Sequence, residues 1–181
     1  MRGKTYFTAA MALCMAVFLT ACGGQDKPNE TVPAAGTGTV KQTANLDAQT
    51  TAQAFLDAGA FSETLEELDL AVAYRLYALE EYGVAQEDIL DSAIYLSAGA
   101  TAEEVSVLVL KDEDTAALVV DALKAHVEAQ KEAYQDYLPE EVPKLDDAIL
   151  TTHGSSVLLV VPAQASEANG VAEHLSDYQA E

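Results

Sequence analysis

The sequence predicts an α+β domain. It is a four-stranded antiparallel sheet built from two hairpin–helix units, with helices packed on it and two helices ahead of it. Three observations carry this. Up to about residue 82, apolar residues recur at steps of three and four, the period of a helix face. Near residue 93 the period changes to two. Then 105–110 and 156–161 are apolar on both faces, as interior strands should be. Each follows a strand and a glycine-bearing turn, and each leads through a breaker into a helix.

Residues 46–58 read as a first helix. Ala52, Phe55 and Leu56 fall on one side, and Gly59 is a stop signal. A second helix follows, with Leu65, Leu68, Val72, Leu76 and Leu79 as its stripe. Thr64 and Glu67 have the spacing of a capping box, and Gly83 suits the residue past the end. Residues 86–90 make a short turn. In the strand 93–98, Ile94, Leu96 and Ala98 share a face. Gly99 precedes a loop, Ala100-Thr101-Ala102-Glu103, and the strand 105–110 comes next. Lys111-Asp112-Glu113-Asp114 breaks that strand and puts acids at a helix N-terminus, where the dipole favours them.

The helix 115–137 has the stripe Ala116, Val119, Val120, Leu123, Val127, Tyr134 and Tyr137, and is roughly 34 Å long. Pro139 ends it. Residues 139–144 make a helical turn, 148–152 a strand, His153-Gly154-Ser155 a tight connection, and 156–161 a strand closed by Pro162. The last helix, 166–178, buries Ala168, Val171, Ala172 and Leu175. The two hairpin–helix units share a plan but too few identities to argue duplication. With the two doubly apolar strands central, the sheet order is first, second, fourth, third, all antiparallel. A single covered face would leave the other partly apolar, to be wetted at its edges or to bind something.

Residues 1–21 have the layout of a signal peptide. Arg2 and Lys4 precede an uncharged, apolar run from Tyr6 to Leu19. That run is shorter than the ~20 residues needed to span ~30 Å of hydrocarbon. Leu19-Thr20-Ala21-Cys22 resembles the lipobox of bacterial lipoproteins. The resemblance implies diacylglycerol in thioether linkage on Cys22 and cleavage before it. Two acyl chains, at ~0.8 kcal/mol per buried methylene, hold a membrane firmly. Cys14, the only other cysteine, leaves with the peptide, so Cys22 keeps no intrachain partner. Residues 22–45, with Pro28, Pro33 and Gly36-Thr37-Gly38-Thr39, read as a lipid-anchored disordered linker spanning roughly 25 Å. Residues 46–181 are then a single domain, long enough for a real core.

The formal net charge is −21, and all 30 acids lie after the signal with 7 of the 9 basic residues. The exported part would carry 7 minus 30, or −23. Such a field repels nucleic acid and anionic headgroups, and no basic patch exists to displace counterions. Nucleic acid is therefore excluded as a partner.

No cofactor, metal or catalytic motif is legible. His126, His153 and His174 are dispersed. His126-x-Glu128 lacks the paired cysteines of a zinc deaminase, and His126 reads as a solvated helix residue. Asp112-Glu113-Asp114 has no glycine for a calcium loop, and Asp146-Asp147 reads as a strand-entry pair. His153 with Ser155 and Ser156 is the nearest approach to a Ser–His site, but it lies on a turn without a Gly-x-Ser-x-Gly elbow. Seven tyrosines, from Tyr74 to Tyr178, outnumber the phenylalanines of the domain. Most read as core-edge residues with a wetted hydroxyl. A cluster on one side would bind a peptide or glycan, with Tyr95, Tyr134 and Tyr137 as the ligand-binding candidates.

Several stretches together resemble one known family. They are Leu79-x-x-Tyr82-Gly83-Val84, Tyr95 with Gly99-Ala100-Thr101-Ala102-Glu103-Glu104-Val105, Gln130-Lys131-Glu132, and Asp136-Tyr137-Leu138-Pro139-Glu140-Glu141-Val142. From about Phe61 onward the chain is similar to uncharacterised lipoproteins of Gram-positive bacteria, a domain of unknown function. The resemblance implies location and topology, on the outer leaflet of a Gram-positive plasma membrane, and carries no catalytic residues. The sequence alone also allows a periplasmic site. The expected role is a membrane-anchored, non-catalytic module binding a protein, peptide or small ligand at the cell surface. An extracytoplasmic hydrolase with a dispersed site and an envelope assembly factor stand as alternatives.

Overall fold

The computed structural model describes residues 43–181. The expected signal segment, Cys22 and the expected linker up to residue 42 lie outside the described residues. The domain is α+β, and its antiparallel sheet has five strands in the order β1-β2-β3-β5-β4. The strands are β1 Leu65–Glu67, β2 Ile89–Ser97, β3 Glu104–Leu110, β4 Ile149–His153 and β5 Ser156–Val161. The helices are α1 Ala48–Asp57, α2 Leu70–Leu76, α3 Glu113–Tyr137, α4 Val142–Asp146 and α5 Ala165–Ala172. The two hairpins have the expected order, with β3 and β5 paired at the centre.

The fifth strand is the main correction to the four-stranded sheet. Leu65, Glu66 and Glu67 pair with Ser97, Leu96 and Tyr95 of β2, and the Leu68 amide donates to the Ile94 carbonyl. A segment with a helical apolar spacing is therefore held extended by β2. The Thr64–Glu67 capping box does not form. α2 starts at Asp69, whose side chain accepts from the Ala71 amide. It lasts seven residues and stops because Ala78 turns left-handed at φ 51°, a conformation costing an L-residue about 1 kcal/mol. The supposed stripe is divided: Leu65 packs on one sheet face, Leu79 on the other, and Val72 and Leu76 are exposed.

Both sheet faces are covered, so neither is left to be wetted. On one side lie α2, α3 and α4. Ile94, Leu108, Leu110, Val157, Leu159 and Val161 point there and meet Val119, Leu123 and Leu145. On the other lie α1 and α5. Val105, Val107, Val109, Leu158 and Val160 point there and meet Ala52, Phe55, Ala168 and Val171. Strand alternation sends successive side chains into opposite cores, which is why β3 and β5 are buried at every position. Phe55 is fully buried at the centre of the second core, and truncating it to alanine would cost about 3–5 kcal/mol.

Asp112 caps α3 by accepting from the Thr115 amide. The helix is 25 residues, about 37 Å, while the seven residues of β3 span about 23 Å. Its last turns therefore overhang the sheet. The final helix is also shorter than the sequence suggests. α5 ends at Ala172, and Leu175–Tyr178 is a separate 3-10 turn. Leu90, 63% exposed, is the extra residue where the β2 register slips between Ile89 and Asp91.

The chain enters the domain at one end of the sheet. Asn45 Oδ1 accepts from the Ser155 amide at 2.8 Å, and the Leu46 amide donates to Ser156 Oγ at 2.9 Å. Leu46 also bridges Gln179 of the C-terminal tail. Gly154, at φ 59°, makes the β4–β5 turn. A Cβ there would lie 2.6 Å from Asn45 Oδ1 and 2.7 Å from the Thr43 carbonyl, so only glycine fits beneath this strap.

Candidate functional site

Two buried polar clusters meet where β3 begins, at the end of the sheet opposite the chain's entry. Glu103 and Glu104 are adjacent, so their side chains leave the backbone in opposite directions. Both are 1% exposed.

Glu103 accepts from Lys144 Nζ at 2.8 Å, from the Ser62 amide at 2.7 Å, and from the Ser62 hydroxyl. Lys144 Nζ also donates to Glu141 Oε1 at 3.0 Å, and Glu141 Oε2 accepts from the Ala102 amide at 2.9 Å. Thus the loop before β3, the segment ahead of β1 and α4 are tied through two carboxylates that share one ammonium. Burial works to raise the pKa of Glu103, but the hydrogen bonds from Lys144 and Ser62 outweigh it and hold the carboxyl below its ordinary range. Burial likewise works to lower Lys144, but Glu103 and Glu141 raise it above the usual ammonium value.

On the other side, Tyr77 Oη donates to Glu104 Oε1 at 2.6 Å and lies 2.7 Å from Ser106 Oγ, which also donates to Glu104 at 3.0 Å. His126 Nε2 stands 3.3 Å from Glu104 Oε2 and 3.0 Å from the Gln130 amide nitrogen. The imidazole meets the Tyr77 ring edge-on, with centroids 4.9 Å apart. Burial, then the Glu104 charge, pushes the Tyr77 phenol well above its usual pKa. His126 is not a solvated helix residue. Its side chain is 8% exposed, because α3 lies on the sheet where Glu104 supplies a partner.

The tyrosines predicted to bind a ligand do not form one cluster. Tyr134 and Tyr137 stack, with ring centroids 5.4 Å apart, on the overhanging end of α3, and Tyr137 is 63% exposed. Burial, then the Tyr137 and Glu141 charges, raises the Tyr134 pKa. Tyr95 packs on the opposite face of the sheet, its hydroxyl accepting from Gln49 Nε2 at 2.6 Å. A shallow cleft of about 380 Å³ lies beside Gln49, lined by Gln53, Asp57 and Tyr178. A larger one, about 730 Å³, opens beside Thr43 between Asn45, Lys111, Asp112 and Ser155.

The turn residues have structural partners. Ser155 Oγ donates to the Leu110 carbonyl at 2.7 Å, Ser156 Oγ receives the Leu46 amide, and His153 Nε2 lies 2.7 Å from Gln179 Nε2. Among the described residues, no group of three or more His, Cys, Asp or Glu side chains is placed to hold a metal ion. No described helix is long and apolar enough to cross a membrane.

Sequence reasoning passed over Glu103, Glu104 and Tyr77. One signal was available: two acids feeding directly into a strand apolar on both faces must be carried inward and paired.

Residues 77–162 match the family model described as Domain of unknown function (DUF4358). The matched stretch begins at Tyr77 and holds Glu103, Glu104, His126, Glu141 and Lys144; Ser62 lies before it. No curated protein and no solved structure matches the chain.

Proposed function

We propose that this chain is a lipid-anchored, extracytoplasmic interaction module, held through Cys22 to the outer leaflet of a Gram-positive plasma membrane. The segment after Cys22 serves as the tether. The far end of the domain meets a protein, peptide or small ligand. One observation carries the orientation: the chain enters beside the β4–β5 turn, while the stacked Tyr134–Tyr137 pair and the Glu103–Lys144–Glu141 cluster lie at the opposite end of the sheet. A tether pulling at Thr43 leaves that end turned outward. Tyr137 offers an exposed aromatic face there, with an apolar body and a polar tip.

Two measurements test this. Metabolic labelling with a fatty acid should mark the wild-type protein and not Cys22→Ala; equal label in both ends the anchor. A photo-crosslinker at position 137 should capture a defined partner on intact cells, and one at position 44 should not. Turnover of a wall or peptide substrate by the purified protein, without a specific crosslink, would replace this reading with an enzyme.

A further inference from the structure

The two edges of the sheet are built differently. β1 is three residues long and carries Glu66 and Glu67, the short and charged design that keeps an edge from pairing with foreign strands. β4 has neither protection. Ile149-Leu150-Thr151-Thr152-His153 contains no proline, lysine or acid, and it pairs with β5 in unbroken register.

The turn after β4 has two residues, so His153 and Ser156 close it as a hydrogen-bonded pair. Alternation makes Thr151–Leu158 and Ile149–Val160 the next bonded pairs, and it turns the N–H and C=O of Leu150 and Thr152 outward. Among the described residues nothing takes those groups. The side chains agree. Ile149 and Leu150 are half-buried, while their β5 partners Val160 and Leu159 are fully buried. Another strand on this edge would flank the β4 side chains on both faces and pair its outward N–H and C=O groups.

Charge selects the occupant. Asp146 and Asp147 stand at the entry to β4, and Asp146 and Glu128, each with a 63% exposed side chain, share Lys131. A second copy of this chain, at −21, would be repelled by the first. We propose that the β4 edge accepts an extended strand from a different polypeptide by β-augmentation. That strand carries β-branched residues and runs antiparallel to β4, with basic residues immediately after it to meet Asp146 and Asp147. This inference goes beyond the anchor and does not rest on it.

The test uses the full chain in mild detergent. The probe is a peptide of alternating valine and threonine followed by two lysines and an arginine. It should bind saturably and slow hydrogen exchange at the Leu150 and Thr152 amides. Methylating alternate backbone nitrogens of the peptide, or exchanging its basic residues for glutamates, should weaken binding roughly tenfold or more. Thr152→Pro removes an outward N–H and no bond to β5, so it should abolish binding. Asp147→Lys, an exposed change, should weaken it about threefold or more with an unchanged melting curve.

Four results would overturn the proposal: no binding, equal binding of the methylated peptide, Leu150 and Thr152 amides already protected in the peptide-free monomer, or protection that appears only as a dimer forms. The third would mean that the chain's own segment occupies the edge, and the fourth that a second copy does.

Discussion

Replacing Tyr77 with phenylalanine isolates one buried hydrogen bond. The ring is kept, so no cavity opens and the edge contact with His126 survives. What is lost is the hydroxyl whose oxygen lies 2.6 Å from Glu104 Oε1, in a residue 1% exposed. A hydrogen bond to a charged group contributes about 1.5–3 kcal/mol, and a buried carboxylate that loses a donor pays part of its desolvation as well. Ser106 still donates to the same oxygen, which limits the damage. We expect a loss of about 2–3 kcal/mol, read in urea, with a fall in Tm of roughly 5–10 °C. A double-mutant cycle with Glu104→Leu should show a coupling of about 1–2 kcal/mol. If Tyr77→Phe lies within about 0.5 kcal/mol of wild type, or the two changes add, the network contributes nothing and the reasoning fails.

Three more perturbations test other parts of the same account. Lys144→Met leaves Glu103 and Glu141 without their shared cation. Breaking a buried pair costs about 3–5 kcal/mol, less here because the Lys144 side chain is 21% exposed, so about 2–3 kcal/mol is expected near neutral pH. The Glu103 pKa is held down in the folded state. Its stabilisation is therefore present above the ordinary carboxylate range and lost as pH falls through the folded value, so wild type and variant should converge in acid; a constant gap would contradict the pairing. In alkali the sign reverses for Tyr77. The unfolded chain releases the phenolic proton near pH 10 while the folded one keeps it, so stability falls as pH rises past about 10. Tyrosinate absorbance should then show a last fraction that appears only with the loss of circular dichroism, and its appearance in a still-folded protein would refute the burial argument. Gly154→Ala should cost about 1–3 kcal/mol and speed amide exchange at Leu46, because the new Cβ collides with the Asn45 side chain and the Thr43 carbonyl at φ 59°. Unchanged exchange there would mean that the strap is not held by the turn.

Periodicity and punctuation were enough to read most of this fold. β3 and β5 announced themselves by being apolar on both faces, α3 by its stripe and the acids at its N-terminus, and the β4–β5 turn by Gly154. These signals are local, and backbone geometry alone sets their period. The segment 65–68 was misread because a three-residue edge strand has no period of its own. It is extended only because β2 offers hydrogen bonds to it. Which face each helix covers was not legible for a related reason: whether α1 and α5 share a face with α3 depends on how the connections cross the sheet, which residue spacing does not encode.

The proposed anchor rests on the sequence by itself, on Cys22 behind a short apolar run. The buried site belongs to the tertiary structure. Tyr77, Glu104 and His126 are widely spaced in the chain and ordinary in their local patterns. Packing α3 and the end of α2 against the start of β3 removes water from all three, and in that dry place a carboxylate must find donors or become too costly to keep.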